Sequence, residues 1–108
     1  MTYLMMLSLA ISQTWWEESR NGTMDIPLIG PAGEVGEMQV RPIFVRDVER
    51  ISGYRIRPAN NNSVTFGCLV FWHHYIPRSI RRIRRPVRLE EYWQMYNEGY
   101  EGFTSRRE

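Results

Sequence analysis

The chain has no lysine and only one cysteine, Cys68. A single thiol excludes a disulfide within the chain and argues against a cysteine-based zinc site. No apolar run approaches the roughly 20 residues needed to cross a bilayer, so no transmembrane segment is expected. The only two histidines, His73 and His74, are adjacent. On a helix they point about 100° apart, so they cannot grip one ion as an i, i+4 pair does. The glycines from Gly30 to Gly36 lack a following Lys-Ser/Thr, which excludes a P-loop. No metal and no organic cofactor are therefore expected, and 108 residues leave no room for a separate cofactor-binding module.

What is present describes one globular domain spanning residues 1–108. Apolar residues make up 43% and charged residues 24%, a balance that can bury a core and argues against disorder. The formal charge is only +2, yet all fourteen basic residues are arginine. The codon bias of a GC-rich genome accounts for that without any function. Arginine's planar fork also suits phosphate or carboxylate partners. Met1 to Gln13 is apolar but has no basic n-region, and cleavage after Ala10 would remove half of a helix assigned to the fold. It is read as structure, and no signal peptide is recognised.

Helical spacing runs from Tyr3 to Glu18, with Leu4, Leu7, Ile11, Trp15 and Glu18 on one face. Ser19-Arg20-Asn21-Gly22 stops it. Residues 23–41, rich in glycine and proline, predict an irregular loop or small hairpin. Pro42 then opens a helix to about Ile51, with Arg46, Asp47, Glu49 and Arg50 solvated and Gly53 as its stop. A central helix, apolar almost all round, is predicted from Val64 to Tyr75, capped at Ser63 and ended by Pro77. Arg78 to Arg85 follows as a connector, and a last helix runs from about Leu89 to Glu98, stopped by Gly99. The fold class is mainly α, with four or five helices around the central one.

Glu18 is the candidate catalytic group. It closes an apolar stripe one turn after Trp15, where contact with aromatic surface desolvates a carboxyl and raises its pKa. A carboxyl still protonated near neutral pH can act as the general acid on a glycosidic oxygen. Glu17 falls with Gln13 and Thr14 on a polar face. Cys68, in the most apolar stretch, reads as a packing residue.

Three motifs in order give this carboxyl a context. Glu18-Ser19-Arg20-Asn21 resembles the Glu-Ser signature that closes the catalytic helix of lytic transglycosylases. Gly36-Glu37-Met38-Gln39-Val40-Arg41-Pro42 resembles that family's Gly-Leu-Met-Gln-(Ile/Val)-x-Pro segment. Tyr96-Asn97-Glu98-Gly99 resembles its Tyr-Asn-x-Gly motif. The chain thus resembles the lytic transglycosylase and goose-type lysozyme group, in a compact phage and bacterial branch, from about residue 4 to 103. It departs from the pattern at Arg20, Glu37 and Glu98.

The resemblance implies an α+β lysozyme-like fold and cleavage of the glycan strand of peptidoglycan. It implies Glu18 as acid and then base, with Ser19 and Gln39 bonding the sugar. It also implies Met38 as a cleft wall, Tyr96 close to Glu18, and Asn97 holding backbone or sugar. A transglycosylase needs one carboxylate, whereas a hydrolase normally needs a second, for which Asp25 and Glu34 are the candidates. Action on a cell wall would place the protein in the periplasm, outside the cell or on a virion. The short chain leaves room for a partner chain to complete the cleft. A catalytically inactive glycan-binding or structural relative fits the same motifs.

A rival signal lies in Arg78 to Arg88, where six arginines crowd eleven positions. Such a cluster fits nucleic acid or another anionic polymer. Pairing with Glu90, Glu91, Glu98 and Glu101 would instead neutralise it.

Overall fold

The computed structural model describes residues 9–12 and 38–108. The described chain is mainly helical: residues 9–12 are helical, and three longer helices follow, α1 (Pro42–Ser52), α2 (Asn61–Ile83) and α3 (Leu89–Ser105). Of the expected 3–18 helix only 9–12 is described, with Ala10 fully buried. Of the expected loop or hairpin over 23–41, only the turn at 38–41 is described.

Helix α1 starts and stops where the sequence predicts. Pro42 occupies the first turn, where a missing N–H costs nothing. Gly53 ends it in the left-handed region (φ 77°), its N–H donating to the Glu49 carbonyl at 2.7 Å. Phe44 and Val48, four apart, bury the inner face.

Helix α2 packs against both α1 and α3 and is the centre of the fold, as its apolar circumference predicts. Its buried positions Val64, Cys68, Phe71, Trp72, Tyr75 and Ile76 recur at helical spacing. Burial of a large apolar side chain such as Phe71 contributes about 1.5–3 kcal/mol. The cap is Asn60, not Ser63: the Asn60 side chain accepts from Ser63 N–H at 3.0 Å. Asn caps as well as Ser does, and the Ser63 hydroxyl is used elsewhere. It accepts from Arg57 N–H at 2.8 Å and bonds the Tyr54 hydroxyl at 2.8 Å, fastening the extended segment 54–57 to α2. Gly67 lets that segment approach, since a Cβ there would sit 2.3 Å from Ile56 Cδ1.

The expected stop at Pro77 is corrected, because α2 runs through it to Ile83. A proline inside a helix withdraws one N–H and crowds the preceding turn. Here Ile76 and Ser79 are buried on either side of it, and Arg78 Nη1 donates to the His74 carbonyl at 2.7 Å. The apolar burial of Tyr75 and Ile76 outweighs the lost bond, so most of the predicted connector is helix. The stop comes at Arg84, in the left-handed region (φ 62°), whose N–H donates to the Ile80 carbonyl.

Helix α3 breaks at Gly99 as predicted (φ 78°, ψ 164°), but helical structure resumes and continues to Ser105. Phe103 and Thr104 in this added turn are fully buried, which is why the chain turns helical again.

Candidate functional site

Residues 38–41 form a turn ahead of α1, and the kinked part of α3 lies against it. The Tyr96 hydroxyl donates to the Met38 carbonyl at 2.8 Å. Arg41 Nη2 donates to Asn97 Oδ1 at 2.9 Å, and Nη1 donates to the Asn97 carbonyl. Side chains 56 and 58 residues away in sequence thus hold the turn on both sides of Gln39. Gln39 itself has a positive φ of 49°. For a residue with a Cβ, that conformation costs about 1–2 kcal/mol and persists only where its surroundings enforce it.

A cleft of about 470 Å³ opens beside this junction, lined among others by Arg41, Phe44, Asp47, Tyr75, Tyr96 and Gly99. Its aromatic wall is continuous. Tyr96 meets Phe44 edge-on at 4.9 Å, Phe44 lies 5.0 Å from Phe71, Phe71 5.0 Å from Tyr75, and Tyr75 stacks on Tyr100 at 4.5 Å.

Three carboxylates line the cleft, Asp47, Glu98 and Glu101, and Asp47 is the one bonded to its aromatic wall. Its Oδ1 accepts from the Tyr75 hydroxyl at 2.9 Å and from Arg50, while Arg50 Nη2 donates to the Tyr75 oxygen at 2.8 Å. Burial, then the hydrogen bond to Asp47, push the Tyr75 phenol up to about 12. The anionic form is disfavoured where water is scarce and a carboxylate is adjacent. His74 is lowered, first by burial and then by the Arg78 charge.

Of the predicted site residues, Glu18, Ser19, Asp25 and Glu34 lie outside the described residues. Met38 is 2% exposed and belongs to the core. Gln39 and Asn97 are half-buried. Tyr96 is buried yet reaches the cleft. The structure therefore joins Met38 and Gln39 to Tyr96 and Asn97. Asp47, expected to be solvated, is a correction: its side chain is 24% exposed because Tyr75 covers it. Sequence reasoning also passed over Arg41, which fills the variable position of its motif. The i, i+3 spacing of Asp47 and Arg50 was the one available signal for this network.

The arginine cluster is partly neutralised. Arg85 pairs with Glu91, and Arg82 with Glu101 and Glu108. Glu98 pairs instead with Arg106 and Arg107, and Glu90 forms no ion pair among the described residues. Arg78, Arg81, Arg84 and Arg88 remain exposed. Among the described residues no three metal-ligating side chains come together, and no helix is long and apolar enough to cross a membrane. Compared with known proteins, the chain matches no family model, no curated protein and no solved structure.

Proposed function

We propose that this chain has an α+β lysozyme-like fold and cleaves the β-1,4 linkage between MurNAc and GlcNAc in peptidoglycan, with Glu18 as the acid. The observation that carries this reading is the junction of two motifs. The segments Met38-Gln39 and Tyr96-Asn97, each suggestive on its own, are fastened together by Tyr96 and Arg41 beside an aromatic-walled cleft. An amphipathic cleft with a few fixed polar groups suits a ligand that is apolar on its ring faces and hydroxylated at its edges.

In this mechanism Glu18 protonates the leaving glycosidic oxygen. The muramoyl 6-hydroxyl then attacks the anomeric carbon as the Glu18 carboxylate takes its proton, which gives a 1,6-anhydro end without water. Ser19 and Gln39 hold the N-acetyl group. A hydrolase would instead place water with a second carboxylate, Asp25 or Glu34. A partner chain completing the cleft fits either chemistry. The anionic-polymer reading of Arg78 to Arg88 is weakened by the pairing of Arg82 and Arg85.

Mass spectrometry of peptidoglycan incubated with the wild-type protein and with Glu18→Gln tests the proposal. Products with 1,6-anhydromuramic ends, made by the wild type alone, are expected. Reducing muramic ends would mean hydrolysis. An absence of products from folded protein would leave a binding or structural role.

A further inference from the structure

We propose that Arg41 is a positioning residue that holds Gln39 in its left-handed backbone conformation and so sets the Gln39 side chain for substrate. The inference rests on the reading above for what Gln39 does, but on geometry alone for what Arg41 does. Gln39 stands at φ 49°, a region that residues with a Cβ seldom occupy unless neighbours impose it. The peptide plane before it is pinned where the Met38 carbonyl accepts from Tyr96. The chain after it is pinned where the Arg41 guanidinium forks onto Asn97. With both flanks fixed, the backbone between them has little freedom, and the left-handed turn is what connects them.

The Gly99 break explains why Asn97 is available. In an unbroken helix the Asn97 carbonyl would accept from the N–H four residues on. The φ 78°, ψ 164° of Gly99 ends that register, and Arg41 supplies a donor for the carbonyl together with one for Oδ1. Two parallel N–H groups in one plane are particular to arginine, and lysine cannot reproduce them. One side chain therefore couples the kink of α3 to the turn that carries Gln39.

The test combines two readouts. By NMR, the Gln39 HN–Hα coupling and Cα shift report the sign of φ in the wild type, Arg41→Ala and Arg41→Lys. A positive φ in the wild type that relaxes to ordinary negative values in Arg41→Ala, and partly in Arg41→Lys, is expected. A Gln39 that keeps its positive φ in both variants overturns the proposal. This arm needs no activity, so it decides the claim even if the wild type cleaves nothing and the proposed function fails. The lysine variant serves if the alanine variant does not fold.

In the second readout, kcat and KM are measured for Arg41→Ala alone and in a Gln39→Gly background. Misplacing a substrate-holding group costs roughly 10- to 100-fold, so kcat should fall by about that factor in the single variant. In the Gln39→Gly background the further loss should be less than about twofold, since residues that act through each other are not additive. Equal losses in both backgrounds would show that Arg41 acts independently of Gln39 and would overturn the proposal.

Discussion

Replacing Glu91 by glutamine should cost this protein a large part of its stability, and the loss should be a function of pH. Glu91 lies in the first turn of α3 with its side chain 8% exposed. Arg85 donates to both of its oxygens, at 2.7 and 2.8 Å. Arg107 Nε adds a bond at 2.9 Å and the Arg88 backbone N–H another at 2.9 Å. These donors, Arg85 foremost, bring the carboxyl from its ordinary 4.5 down to about 2 despite the opposing effect of burial. At about 1.4 kcal/mol per factor of ten in acidity, the folded state favours the anion by about 3 kcal/mol.

Because the folded value is depressed, this contribution is complete above pH 4.5 and is lost as pH falls towards 2. Urea unfolding of the wild type and Glu91→Gln at neutral pH should therefore differ by about 3 kcal/mol, equivalent to roughly 10–20 °C in Tm. The difference should shrink progressively in acid, as the wild type protonates and the variant does not. A gap below about 1 kcal/mol at neutral pH, or one that stays constant between pH 7 and 3, would refute the reasoning.

Two further outcomes follow from the backbone and the cleft. Gly99→Ala forces a Cβ into a region that is nearly glycine-only and should lower stability by about 1–3 kcal/mol, read as a drop in Tm. An unchanged melt would mean that the kink is not required. In a spectrophotometric titration Tyr75 should ionise near 12, and that step should vanish in Tyr75→Phe. Its folded value is raised, so the stability it contributes is intact below pH 10 and lost as pH rises towards 12. A Tyr75→Phe variant that instead loses a step near the ordinary tyrosine value of 10 would count against the Asp47 network.

What the sequence made legible was local. Pro42 and Gly53 bound α1 because their backbone restrictions act within a residue or two, and Gly99 broke α3 for the same reason. The all-round apolar pattern of residues 64–75 was enough to mark α2 as central. Pro77 is a local signal for a helix end, whereas in the fold it competes with the burial of Tyr75 and Ile76. Asp47 and Arg41 were missed for a related reason. Their partners, Tyr75 and Asn97, lie 28 and 56 residues downstream, and spacing within a helix carries no information at that distance. Of the candidate site, the motif order identified the Gln39 turn and the Tyr96-Asn97 pair but not the arginine that joins them.

The bond from Tyr96 to Met38 has a consequence in time. It closes a loop of nearly sixty residues, and the entropy of such a closure must be met before the contact returns anything. The helices can form and pack first, so the Gln39 turn takes shape only on a scaffold that is already built. An assembled Gln39 turn is therefore the mark of a chain whose α3 has already reached the start of α1.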